Sequence, residues 1–152
     1  MGDDETYIRR AIDLARLARE RGNHPFGAVL VADGQIVLEA ENSVVTDNNP
    51  THHAEMNLVE LAWKTLRIEV IRRTTLYTST EPCLMCTGAI FWSGIRRVVY
   101  SFPADELGQL ANDKFCGPCR QLFDRAEQTT DVVGPVLPEL GREVHLGFWV
   151  SP

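Results

Sequence analysis

The chain has 152 residues, 44% of them hydrophobic, which suits one domain (1–152) with a buried core. Its 21 acidic and 15 basic residues leave a formal net charge of -6, which argues against broad binding to nucleic-acid phosphates. No apolar stretch is long enough to span a bilayer, and the acidic start Met1–Glu5 lacks the basic-then-apolar layout of a signal peptide. A cytoplasmic protein is expected. Its four cysteines would then stay reduced, and metal binding or catalysis explains them better than disulfides do.

In chain order, Asp3–Arg21 reads as an amphipathic helix: Tyr7, Ile8, Ile12, Leu14, Ala15 and Leu17 form its apolar face, and Gly22 ends it. Gly27–Ala32 and Gln35–Ala40 read as two strands joined by the turn Asp33-Gly34, a strong hairpin signal. A second helix is predicted over His53–Leu66, a third strand over Thr74–Ser79, a third helix over Cys83–Trp92 and a fourth strand over Arg97–Ser101. A helical piece after Pro118, a fifth strand at Val132–Val136 and a short tail helix complete the pattern. Strands alternating with helices after an opening hairpin predict an α/β architecture with a mixed sheet.

Two short segments carry chemistry, His53-Ala54-Glu55 and Pro82-Cys83-Leu84-Met85-Cys86. Cys83 and Cys86 are three residues apart and share a face in the first turn of a helix, where free N–H groups favour thiolates. Pro82 fits there because a helix start wastes its missing N–H. With His53 opening the preceding helix, two thiolates and one imidazole give zinc three protein ligands and leave a fourth position for water. Glu55, two residues on, reaches past the same helix end because side chains lean toward the N-terminus. It is placed to take a proton from that water without being a ligand. The plain alternative is a chance CxxC beside an unrelated histidine. A structural Cys/His zinc scaffold is another, but it needs a fourth ligand and leaves Glu55 without a role.

At these residues the chain resembles the cytidine deaminase superfamily. The resemblance is nearest to the branch of bacterial guanine deaminases, fungal-type cytosine deaminases and tRNA adenosine deaminases. It rests on Pro25-Phe26-Gly27-Ala28-Val29-Leu30-Val31, Asn42, Pro50–Glu55 and Thr80–Ile90, and it runs from about Tyr7 to about Ser101. It implies a three-layer cytidine deaminase-like fold, a central five-stranded mixed sheet flanked by helices. It implies replacement of an exocyclic amine by oxygen with release of ammonia, with zinc at His53, Cys83 and Cys86 and Glu55 shuttling the protons. It also implies a homodimer whose face lies near the active site. Asn42 matches the asparagine that bonds the base, the Ala54 N–H would bind a substrate carbonyl, and Phe26 matches a pocket-wall aromatic or else a core residue. Trp92 is read either as a stacking residue or as part of a dimer face.

Other residues stay open at this stage. His52 stands where many relatives have alanine; it lies at the pocket mouth or in a solvated loop. His24 and His145 carry no partner pattern and read as surface or packing residues. Cys116-Gly117-Pro118-Cys119 resembles a redox pair but reads first as a turn, with pocket contact or redox sensing behind it. Asp113 matches the first of an acidic pair seen in guanine deaminases, while Lys114 stands where the second would be. Asp113 is therefore either a substrate contact or a loop carboxylate. The end of the chain lacks the basic helix of tRNA deaminases. Phe148 and Trp149 would cap a small pocket, in this chain or its partner, or merely dock the tail. A small heterocycle such as guanine, cytosine or a triazine analogue is expected as substrate. A tRNA wobble adenosine is the alternative, and nucleic acid and membrane are not expected partners.

Overall fold

A computed structural model describes residues 2–113 and 118–149. Its five strands are β1 (Gly27–Ala32), β2 (Gln35–Glu41), β3 (Thr75–Thr80), β4 (Arg97–Phe102) and β5 (Asp131–Val133). They form one sheet in the order β2-β1-β3-β4-β5. β1 runs antiparallel to β2 and β3, whereas β3, β4 and β5 are parallel. The helices are α1 (Gly2–Glu20), α2 (Ala54–Thr65), α3 (Ile68–Ile71), α4 (Leu84–Ser93), α5 (Ala104–Ala111), α6 (Cys119–Phe123) and α7 (Pro138–Glu143). The expected mixed five-stranded sheet between helical layers is what is found. Among the described residues no helix is long and apolar enough to cross a membrane.

Alternation along the strands builds the three layers, because successive side chains of a strand face opposite ways. Ala28, Leu30, Leu76 and Val98 point to a core shared with Leu58 and Ala62 of α2, Ile90 of α4 and Phe123 of α6. Val29, Val31, Tyr77 and Val99 point the other way, to Ile8, Ile12 and Ala15 of α1. The hairpin turn is the predicted one: Asp33 and Gly34 both have positive φ, 50° and 74°, the pairing that suits the twist of two strands. Gly27 is dictated by contact. A Cβ there would lie 2.3 Å from the Ala11 carbonyl oxygen, so α1 rests directly on the start of β1.

Three differences from the sequence expectations have local causes. His53 and Cys83 are extended residues capping α2 and α4, not members of the helices. β5 ends at Val133 instead of Val136, because Pro135 has no N–H to extend a ladder and Gly134 lies against the Tyr100 ring. The helices α3 and α5 were not anticipated. The first is only four residues long, and the second is an eight-residue helix following Pro103 that Asn112 ends in the left-handed conformation.

Candidate active site

The parallel strands β3 and β4 are joined through α4, and the chain leaves the carboxyl end of β3 through Glu81 and Pro82 into the start of α4. Crevices beyond the carboxyl ends of parallel strands are where α/β folds place ligands. The start of α2 reaches the same place and brings His53 and Glu55 against Cys83 and Cys86.

One donor atom from each of His53, Cys83 and Cys86 lies within 4.8 Å of the others. His53 Nδ1 is 3.6 Å from Cys83 Sγ and 3.6 Å from Cys86 Sγ. Tetrahedral zinc with bonds of ~2.3 Å to sulfur and ~2.05 Å to nitrogen separates such atoms by about 3.6 Å. The donor set therefore fits the ion in both chemistry and spacing. The hydrogen bond from Cys86 brings the Cys83 thiol down to about 4, while the same bond and burial push Cys86 up. His53 is raised chiefly by its bond to Cys83.

Glu55 is buried, 4% exposed, and its two oxygens are in different settings. Oε1 accepts a 2.7 Å hydrogen bond from the Thr78 hydroxyl, while Oε2 lies 3.5 Å from Cys86 Sγ. Burial raises its pKa, so the carboxyl holds a proton more readily than an exposed glutamate.

A cavity of about 250 Å³ opens from this cluster and is lined by His53, Glu55 and Cys83 at one end. Phe26 and Asp113 also line it, as the sequence reading allowed. Asn42, Ala54 and Trp92 do not. Asn42 is buried; its Oδ1 caps the Val44 N–H and its Nδ2 has no partner among the described residues. Ala54 is buried at the first position of α2. Trp92 stands 80% exposed at the end of α4 with its ring edge-on to Phe91, away from the cavity. His52 is partly exposed and hydrogen-bonds Asp47 at 2.8 Å in the loop before α2.

Of the other residues that line the cavity, the sequence reading offered Trp149 as a cap and missed His24, Thr80 and Glu81. Glu81 is 7% exposed, and its carboxylate accepts the N–H groups of Ala104 and Cys119, 2.9 and 2.7 Å away, tying α5 and α6 to the site. Cys119 is buried beneath it, where burial pushes its thiol up; Cys116 lies outside the described residues, as does Lys114. The tail docks in cis, since Arg19 donates to the carbonyls of Val144 and Leu146 at 2.9 and 2.7 Å and sits over the Phe148 ring. His145 proves to be a packing residue, 1% exposed, as expected; His24 turns out to be a cavity wall set against Phe148 and Trp149.

Residues 1–102 match the family model described as "Cytidine and deoxycytidylate deaminase zinc-binding region". The chain belongs to this family. It is accordingly a zinc-dependent hydrolytic deaminase, acting on C–N bonds of nucleobases or nucleosides. It is 40% identical over 151 residues to the "Probable cytosine deaminase" of Schizosaccharomyces pombe, covering 96% of this chain and 92% of that protein. It is 41% identical over 100 residues to the tRNA-specific adenosine deaminase of Bacillus subtilis, covering 66% and 62% of the two chains. The solved guanine deaminase of Bacillus subtilis superposes with a TM-score of 0.65 at 39% identity, over 72% of this chain and 70% of that one.

Proposed function

We propose that this deaminase acts on a free amino-substituted nucleobase or related small heterocycle, such as cytosine, guanine or a triazine analogue. His53, Cys83 and Cys86 hold the zinc and Glu55 moves the protons. The observation that carries this reading is the buried Glu55 carboxyl, whose Oε2 lies beside the three metal donors at one end of a cavity about 250 Å³ in volume. Zinc bound there would lower the pKa of a water to about 7 and so supply a nucleophile at neutral pH.

The protein's own groups do the rest. Thr78 fixes Oε1 of Glu55, so Oε2 is the oxygen that would take a proton from the attacking water and deliver it to a ring nitrogen, then take the remaining proton from the new hydroxyl and give it to the departing amine. A carboxyl that serves as base and then acid works best with a raised pKa, which burial provides. Phe26 and Trp149 supply apolar walls for a flat ring. The unpaired Nδ2 of Asn42 is a buried donor that a small adjustment could turn to a base heteroatom.

Three observations support a small substrate. The net charge is -6, Trp149 lines the cavity from within the same chain, and the relative matched along 96% of this chain is named for cytosine. The test is ammonia release from a panel of free bases, nucleosides and an anticodon stem-loop. Turnover of a free base that depends little on moderate salt is expected. Inosine formation in the stem-loop, with no ammonia from any base or nucleoside, would replace this reading with tRNA deamination.

We further propose a homodimer through the outer face of α4. Leu84 and Trp92 are 55% and 80% exposed there, beside a groove formed by Phe91, Leu122 and Ala126. Sedimentation of the zinc-loaded protein should give twice the chain mass; a monomer at full activity would rule this out.

A further inference from the structure

Two of the cavity's lining residues, Thr80 and Trp149, are joined by a polar chain that the deamination chemistry does not use. Trp149 Nε1 donates a 3.1 Å hydrogen bond to His145 Nδ1. His145 Nε2 is 3.1 Å from Thr80 Oγ1, and Thr80 lines the cavity. The direction of every bond in this chain follows from elementary chemistry. An indole nitrogen only donates, so Nδ1 must be the acceptor. A neutral imidazole with a bare Nδ1 carries its hydrogen on Nε2. His145 is indeed neutral, since burial brings its pKa down to about 4. Nε2 therefore donates to Thr80, and the Thr80 oxygen is the acceptor. The hydroxyl's own hydrogen is not used in that bond, and among the described residues His145 is the partner of Oγ1.

We propose that Thr80 is a specificity-determining residue: with His145 held as a donor by Trp149, the Thr80 hydroxyl keeps its own hydrogen for an acceptor on the ring edge of the substrate. The inference rests on the small-heterocycle reading above and narrows it. The substrate presents a ring nitrogen or ring carbonyl to Thr80 while its amine faces Glu55. A hydroxyl ordinarily adapts, donating or accepting as the ligand requires. Here His145 takes one lone pair of the oxygen and leaves the hydroxyl hydrogen free, so a ring edge that offers an acceptor at this point is the one that uses that hydrogen. The His145 ring is itself packed in place: its centroid is 5.4 Å from that of Phe26 and 5.4 Å from that of Phe102, and it stacks on Trp149.

The test measures kcat/KM on matched heterocycles that lack one acceptor at a time, a ring nitrogen replaced by C–H or a carbonyl replaced by hydrogen. For the wild type, one of these deletions should cost roughly 5- to 150-fold, the size of one buried hydrogen bond. In Thr80→Val that penalty should vanish, because the parent compound falls to the level of its deleted analogue. Thr80→Ser should restore it. Thr80→Ala removes the same hydroxyl if the valine is not accommodated, and zinc content with urea stability verifies the fold of each variant. Trp149→Phe keeps an aromatic wall but frees His145 to switch tautomer and accept from Thr80, so the same penalty should shrink. Equal loss on all analogues in Thr80→Val, or an undiminished penalty in Trp149→Phe, overturns the proposal. Failure of the wild type to release ammonia from any base would instead overturn the substrate reading on which it rests.

Discussion

The reacting residues of the cavity and the residues that wall it are assembled in opposite ways. At the chemical end, His53 and Glu55 come from one three-residue segment and Cys83 and Cys86 from one four-residue segment, each at the start of a helix. Among the walls, His24, Thr80, Asp113 and Trp149 come from four separate stretches of chain, drawn together by strand ends, α5 and a docked tail. Reaction chemistry here depends on local geometry that a short motif can encode. The shape and polarity offered to the substrate depend on tertiary docking, which no short motif records.

If that contrast holds, the largest effects belong to the chemical end. Cys86→Ala should lose zinc and all measurable turnover, because two donors remain where three fit the ion. Metal analysis after gel filtration checks this, and a fully loaded, active variant would dissolve the assigned ligand set. Glu55→Ala should retain zinc and fold but lose about 10²–10⁴-fold or more in kcat, the usual worth of general acid–base catalysis. Near-normal kcat in this variant would take Glu55 out of the mechanism.

The same contrast explains what the sequence disclosed. The Asp33-Gly34 turn, the alternation of Val29 and Val31 against Ala28 and Leu30, and the apolar stripe of α1 gave the sheet and its layers because they are periodic. The metal donors were legible because type and spacing coincide. Glu81 could have been suspected: a glutamate just before a helix-opening Pro-Cys is a strong acceptor for nearby N–H groups, although which ones it bonds depends on α5 and α6. Nothing local marks His145 or His24 as belonging to the site. Of the two roles open to Trp92, stacking on a base or packing at a dimer face, its 80% exposure beside Phe91 and away from the cavity favours the second, and no local pattern could choose between them.

The next effect separates the ends by pH. His145 has a pKa near 6.5 when unfolded and about 4 in the fold, so the fold favours its neutral form. Its contribution is complete above pH ~6.5 and is lost as pH falls through about 4, a change of about 3 kcal/mol. Wild type and His145→Gln share the metal donors, so the acid lability of those donors largely cancels in the difference. Urea titrations between pH 7 and 4 should show a steeper acid-side loss in the wild type. Parallel pH curves for the two proteins would mean that His145 is not held neutral by the core.

The smallest effect sharpens the comparison most, because it touches neither end directly. Arg19 lies on α1, and its guanidinium holds the tail through two carbonyls, Val144 and Leu146. In Arg19→Ala the Leu146 carbonyl can turn to water, since that residue is 44% exposed, while the carbonyl of the buried Val144 loses its side-chain partner, so the fold should lose about 1–3 kcal/mol. The tail would dock less firmly, and Trp149 and the His145–Thr80 contact would be populated less often. Substrate binding then weakens about fivefold, seen as a raised KM. Zinc content and kcat should stay near wild type, because Glu55 and the metal donors are held by α2, α4 and β3 without help from the tail. A fall in kcat approaching that of Glu55→Ala would show that the tail also sets the geometry of the reacting end. The division between a locally encoded reaction and a tertiary recognition wall would then be wrong.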